Sequence, residues 1–286
     1  MQRQEFEALA AAQRPHLHRY CARMLGSAFE GDDVVQEALA KALEAYSGAG
    51  EITRPKAWLF RIAHNAALDA LRRRKRRETG RSRIDLGAFV DKAAAADART
   101  AAEASLAAFM PLSATERSSV ILVDVLGDSL SETAEVLGVS LAAVKAALHR
   151  GRERLRVVAA LAAPLAETVS AEEKARLRHY ADRFNARDFD ALRGLLAEDV
   201  KLDLVNRLRL AGRRDVSVYF HRYEERFDWR FKPILADGRP ALLGVDPDRG
   251  DARWLVLLDW RDGRLTDIRD FKYAPYVTEA VALSSL

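Results

Sequence analysis

Residues 55–77, PKAWLFRIAHNAALDALRRRKRR, constrain this chain more than any other stretch. Leu59, Ile62, Ala63, Ala66 and Ala70 recur at steps of three and four, so the spacing predicts an amphipathic helix with one buried stripe. Pro55 suits the first helical position, because a helix start has no use for the missing N–H. A second stripe, Trp58, Arg61, Asn65, Asp69 and Arg72, carries an aromatic ring, an amide and charged groups. It runs into six consecutive cations: Arg72, Arg73, Arg74, Lys75, Arg76 and Arg77. Arginines at a helix C-terminus suit the negative end of the helix dipole, but six in a row exceed that need. A ring for stacking, an amide for base edges and dense charge for phosphates together fit a single-stranded or melting nucleic acid.

The charge balance sharpens this reading. The net charge is +4, yet residues 1–160 carry 24 basic against 20 acidic groups and residues 161–286 carry 22 of each. All the excess positive charge therefore lies in the first part, where nucleic-acid contacts are expected. At 286 residues the chain has room for two or three domains with their own cores. No run approaches the roughly 18 apolar residues of a membrane span, and the start, MQRQEFEALA, lacks the apolar region of a signal peptide. One cysteine, Cys21, excludes an internal disulfide and fits a reducing, cytoplasmic setting. With no Cys/His cluster, neither a metal nor another cofactor is expected.

Residues 5–46 read as two helices. Phe6, Leu9, Leu17, Tyr20 and Leu25 belong to the first, which Gly26 ends. The second opens at GDDVVQEALAKALEAY, so Asp32 and Asp33 sit where a cap and a dipole-compensating charge would be. Gln36, Glu37 and Lys41 are left to face a partner. Ser47–Thr53 is a Gly-containing loop placed to hold an unstacked base beside Trp58. Thr79–Ala98 loses its pattern and reads as a linker, after which a helix carries Leu106 and Phe109. Ser113/Glu116 and Ser129/Glu132 are two capping boxes. The second opens a short helix, followed by the turn Gly138-Val139-Ser140 and a longer helix with Leu141, Val144, Leu148 and Leu155 facing in. That order describes a helix-turn-helix. Ala142, Ala143, Lys145, Ala146, His149, Arg150 and Arg152 point outward, small residues for a groove and cations for phosphates.

DDVVQEALAKALEAY, RPKAWLFRIAHNAALDALRRRKRR and LSATERSSVILVDVLGDSLSETAEVLGVSLAAVKAALHRGRERLR, in this order and spacing, resemble a bacterial RNA polymerase sigma factor of the extracytoplasmic-function group. The resemblance covers roughly residues 10–157. It implies sigma region 2 over 5–78, a linker over 79–104 and sigma region 4 over 105–160. Asp32, Asp33, Gln36 and Glu37 would dock on the clamp helices of the polymerase β′ subunit. Trp58, Arg61, Asn65, Asp69, Arg72, Arg73, Arg74, Lys75 and Arg76 would hold the parted −10 element of promoter DNA. Ser140, Ala143, Lys145, His149, Arg150 and Arg152 would read the −35 element in duplex form. One departure stands out: members often have Gly-Thr ahead of the Val-Lys of the recognition helix, where this chain has Ala142-Ala143.

Beyond Pro164 the pattern changes. Ser170/Glu173 caps a helix with Leu177, Tyr180, Ala181 and Phe184, and a second short helix follows Asn185. Val200, Leu202 and Leu204 then alternate with polar residues as a half-buried strand. A helix over Val216–Phe227 precedes strands paired through Asp237-Gly238 and Asp262-Gly263, dipeptides suited to hairpins. The expected fold class is multidomain: two all-α pieces followed by an α+β cone over 168–280. LLAEDVKLD and TDIRDFKYA make this half resemble the SnoaL-like branch of the NTF2-like fold. That resemblance implies a pocket, with Asp203, Tyr219, His221 and Asp270 as candidates. Separately, tethering makes any contact between the cone and the sigma regions of the same chain intramolecular, so a regulatory contact between them is expected. Two other readings are kept: a small-molecule enzyme or ligand sensor with attached DNA-binding helices, and a helix-turn-helix repressor. The stretch at 58–77 argues against the repressor, since a reader of duplex alone has no use for it.

Overall fold

The computed structural model describes residues 2–46, 48, 52–78, 105–161, 169–225, 229–245 and 253–286. They belong to two compact units, Met1–Ala163 and Pro164–Leu286. Most of the Ser47–Thr53 loop and the whole 79–104 linker lie outside the described residues.

In the first unit, α1 (Arg3–Leu25) stops where Gly26 takes φ 73° and its N–H bonds the Ala22 carbonyl, a left-handed cap that glycine adopts at little cost. Next come α2 (Ala28–Tyr46) and α3 (Pro55–Glu78). The start of α2 differs from the sequence expectation. Ser27 accepts the Glu30 N–H at 3.3 Å, so the helix begins three residues before Gly31, and Asp32 and Asp33 lie inside it. Tertiary contact explains the glycine: a Cβ at Gly31 would fall 2.6 Å from Ala22 Cα. Close approach of α1 and α2 thus outweighs its poor helix propensity of about 1 kcal/mol.

A four-residue 3₁₀ turn (Leu106–Phe109) stands where a helix was expected, and the Met110-Pro111 turn closes it. It leads to α4 (Ala114–Val120), which runs on as a π turn over Ile121–Val125. Then come α5 (Leu130–Leu137) and α6 (Leu141–Leu161). Both predicted capping boxes form: Ser113 and Ser129 accept the N–H groups of Glu116 and Glu132, whose carboxylates bond back. Phe6, Tyr20, Met24, Leu59 and Phe60 are buried in the same apolar cluster as Phe109, Leu112, Val120 and Ile121. The two helical regions therefore share one core. Each such side chain contributes about 1.5–3 kcal/mol through burial.

Inside that core Tyr20 Oη lies 2.7 Å from His64 Nδ1, and burial pulls the imidazole down to about 4. An exposed imidazole titrates near 6.5, so the unfolded chain takes up this proton first as pH falls. The stability tied to neutral His64 is therefore whole above about pH 6.5 and drains away between there and pH 4. Urea midpoints should fall between pH 7.5 and pH 5, by more in the native chain than in His64→Gln. Equal shifts in both proteins would refute the assignment.

The second unit contains α7 (Ala171–Asn185), α8 (Phe189–Leu195), β1 (Leu196–Leu204), β2 (Leu208–Ala211) and α9 (Arg213–Glu224). After these come β3 (Arg230–Ala236), β4 (Arg239–Val245), β5 (Arg253–Arg261), β6 (Arg264–Asp270), α10 (Pro275–Glu279) and β7 (Leu283–Ser285). The sheet order is β2-β1-β6-β5-β4-β3-β7. Strands β3 to β6 are the expected meander, with Asp237-Gly238 and Asp262-Gly263 both at positive φ, as a type I′ hairpin turn requires. β1 joins it in parallel, Leu202 opposite Ile268 and Leu204 opposite Asp270. Tyr180, Phe184, Leu192 and Phe220 from the helices pack with Val200, Leu202, Trp254 and Ile268. The edge strands β2 and β7 and helix α10 were not legible in the sequence; at three to five residues each they are too short to establish a period.

Candidate nucleic-acid interface

Helix α3 carries the predicted face, with its members in different environments. Trp58 is half-buried and meets Phe6 edge-on, ring centroids 5.7 Å apart. Arg61 and Asn65 are exposed, and Asp69 accepts from Arg72 at 3.0 Å. Arg73 bonds Glu37 at 3.1 Å, while Arg74 reaches the Leu25 carbonyl at 3.1 Å and lies 3.7 Å from Glu30. Lys75, Arg76 and Arg77 are exposed along the last turn. A groove of about 480 Å³ separates α2 from this end of α3, with Glu30, Asp33 and Glu37 on one wall and Arg73, Arg74 and Arg77 on the other.

On α2, Asp32 is fully buried and accepts from Gln36 Nε2 at 2.8 Å, whereas Asp33 is exposed. A hydrogen bond from Lys41 holds the Glu37 carboxyl below the usual carboxylate range; burial opposes it, and a bond from Arg73 adds to the lowering. The Glu37 carboxylate on this wall thus already holds Arg73 of the facing one.

The N-terminal half of α3 packs against the helix-turn-helix. Arg54 pairs with Glu135, Arg61 donates to the Glu135 carbonyl, and Lys56 Nζ lies 2.8 Å from the buried Asp128 carboxylate. Deeper in, Arg117 is buried and donates to the Met24, Met110 and Leu112 carbonyls. Burial, with Arg74 nearby, draws its guanidinium down to about 10.

In the helix-turn-helix, Ser140 Oγ accepts the Ala143 N–H at 3.2 Å, and Lys145 and His149 are exposed. The two arginines of the predicted set have protein partners. Arg152 grips Asp124 with two bonds, 2.9 and 2.6 Å, and Arg150 bonds Glu116 at 3.2 Å, with Arg154 on the other oxygen at 2.6 Å. Burial pushes the Glu116 carboxyl up, but bonds from Ser113 and Arg150 outweigh it and leave it below the ordinary range. One sequence expectation is corrected here. Leu141 was expected to face the core, and it is 42% exposed. The helix starts at Leu141 itself, so the inward stripe begins one turn later, at Val144.

In the second unit, Tyr219 and Asp270 come together while Asp203 and His221 do not join them. Asp270 is fully buried; its Oδ2 accepts from Tyr219 at 2.6 Å and Tyr223 at 2.9 Å, and Oδ1 accepts the Lys272 N–H at 2.9 Å. Burial pushes the carboxyl up, and burial with the nearby carboxylate pushes both phenols up. Asp203 alternates with the buried Leu202 and Leu204, so it points away from that core and pairs with Arg209 at 3.3 Å. His221 is exposed beside Glu224, 2.8 Å away. These four residues therefore do not assemble a two-carboxylate acid/base pair. The sequence reading missed Tyr223, which lies one helical turn from Tyr219, a spacing that was available as a signal.

Two family descriptions match the helical unit: Sigma-70 region 2 over residues 9–77 and Sigma-70 region 4 over residues 106–155. The chain is 30% identical over 269 residues to the ECF RNA polymerase sigma factor SigG of Mycobacterium tuberculosis, spanning 84% of this chain and 73% of that one. The chain belongs to the extracytoplasmic-function RNA polymerase sigma factors. Among solved structures, it is similar to the extracytoplasmic-function sigma factor SigJ of M. tuberculosis, at 23% identity and a TM-score of 0.37, covering 94% of this chain and 95% of that one. Its second unit is similar to an NTF2-like protein of unknown function from Mesorhizobium loti, at 21% identity and a TM-score of 0.30, over 36% of this chain and 93% of that one. No helix among the described residues is long and apolar enough to cross a membrane.

For a sigma factor, the helix-turn-helix packed on α3 is the notable arrangement. Arg61 is a candidate −10 contact, and here it bonds region 4. Arg54, Lys56, Arg117, Asp128 and Glu135, which build that junction, were not singled out in the sequence. Pairs separated by 72 or more residues leave no local periodicity to read.

Proposed function

We propose that this sigma factor docks on the polymerase β′ clamp helices through Asp33, Gln36 and Glu37, with buried Asp32 holding Gln36 in place. Helix α3 then binds the parted −10 strand through Trp58, Arg61, Asn65, Asp69 and the cations Arg72 to Arg76. Helix α6 enters the −35 duplex with Ser140, Ala143, Lys145, His149 and Arg150, and Arg152 orients the helix through Asp124. The observation that carries this reading is α3 itself, a core helix whose outer face bears an exposed amide and ends in exposed Lys75, Arg76 and Arg77. Such a surface suits unpaired strands, and the adjoining bihelical module suits a duplex.

The second unit regulates the sigma regions of its own chain in this proposal. Tethering makes their contact intramolecular, so a millimolar interface suffices. With Asp203 turned away from Asp270, the enzyme alternative has no second carboxylate among the candidates. Run-off transcription with core polymerase tests both parts in the cytoplasmic setting the proposal assumes. The full chain should initiate at a defined promoter, and deleting residues 165–286 should change the yield. No initiation would sink the promoter reading; an unchanged yield would sink the regulatory one.

A further inference from the structure

The recognition helix presents an apolar tip. Leu141 is 42% exposed and Val139 in the preceding turn 37%. Ala142, Ala143 and Ala146 are exposed beside them. The one hydroxyl at this end, Ser140 Oγ, caps the helix by accepting the Ala143 N–H. Lys145 and His149 follow on the same exposed face. The part of the helix that would lie deepest in a groove thus offers methyl groups and no amide or guanidinium, while the cations begin one turn later.

In the major groove, side chains that donate or accept hydrogen bonds read polar edges on all four bases, thymine O4 included. An apolar side chain can distinguish one feature there, the C5-methyl group of thymine. Shielding these residues from water also favours an apolar surface opposite them. We infer that Leu141, with Ala142 and Ala143, determines −35 specificity by packing on thymine methyls, and that Lys145 supplies charge while His149 offers a polar ring to the phosphates. This inference rests on the proposed −35 role of α6. Continuity of the tip with the Lys145–His149 face selects DNA as its occupant over a protein, since that face suits phosphates.

The test uses holoenzyme reconstituted with the full chain and a duplex library randomised across the −35 region. Selected sites should contain thymine at one or more fixed positions. Replacing those thymidines with deoxyuridine removes only the methyl group and should weaken binding about fourfold per contacted base, the scale of one buried methylene-sized group. Leu141→Ala should weaken the thymine duplex by a similar factor and abolish the difference between the two bases; as an exposed position, it leaves folding intact, which circular dichroism checks. Lys145→Ala should weaken every sequence alike, lower the salt dependence and keep the thymine preference. Sites selected without thymine, or deoxyuridine bound as tightly, would overturn the inference and leave the −35 role standing, the tip then being a cover for protein. A holoenzyme that selects no sequence would overturn the −35 role and the inference with it.

Discussion

Replacing Arg72, Arg73, Arg74, Lys75, Arg76 and Arg77 with glutamine should cut promoter opening by the holoenzyme at least about a hundredfold at physiological salt. Each phosphate contact to a single strand contributes about 0.7 to the slope of log affinity against log salt. Losing three contacts would lower that slope by about two. The cations are largely dispensable to the fold, because Arg73, Lys75, Arg76 and Arg77 are exposed at a helix end. Arg74 differs, since it bonds the Leu25 carbonyl and is half-buried. A second variant that retains Arg74 separates any loss of stability from loss of DNA contact. Permanganate reactivity of the −10 thymines at several salt concentrations reports the opening directly. Unaltered reactivity in a folded variant would remove α3 from strand separation.

A change of the opposite sign is expected at the junction. Reversing Asp128 and Glu135 to lysine replaces two attractions, to Lys56 and Arg54, by repulsions. Exposed ion pairs contribute about 0.2–1 kcal/mol each, and the Asp128 carboxylate counts for more because only 6% of its side chain is exposed. The helix-turn-helix should then leave α3. A single-stranded −10 oligonucleotide should bind the free chain about tenfold more tightly, as Arg61 loses its bond to Glu135. Fluorescence energy transfer between labels on α2 and α6 should drop together with that gain. Pairing Asp128→Lys with Lys56→Asp should restore the closed distance through a swapped attraction. Opening will also expose Phe109, Leu112 and Ile121, which are buried in the shared core. That apolar cost limits how far charge reversal alone can shift the equilibrium. No change in distance or in oligonucleotide binding would show that the junction pairs do not hold the closed state.

Much of the fold was legible because its signals are local. Ser113, Ser129 and Ser170 cap helices through partners three residues away, and Asp237-Gly238 and Asp262-Gly263 turn hairpins by their own φ preference. Such features depend on neighbours in the chain, so reading along it suffices. Gly31 was misread for the complementary reason: what keeps it helical is Ala22 on another helix. Asp270 and Asp203 make the same point. Both stand in strand-like sequence, yet only the pairing of β1 with β6 and the strand alternation put one carboxylate among phenols and the other against Arg209.

The order of amino acids alone determined that α3 is amphipathic, that it ends in six cations and that a bihelical module with small residues at the start of its recognition helix follows it. Hydrophobic periodicity and capping act over a few residues, and they carry that information whatever the rest of the chain does. Folding decided which of those groups have partners. It buried Asp32, tied Arg152 to Asp124 and Arg61 to Glu135, turned Leu141 outward and merged the two helical regions around Phe60, Phe109 and Ile121. Burial and ion pairing between distant residues depend on where the chain returns upon itself, and that distance is not written in any single stretch.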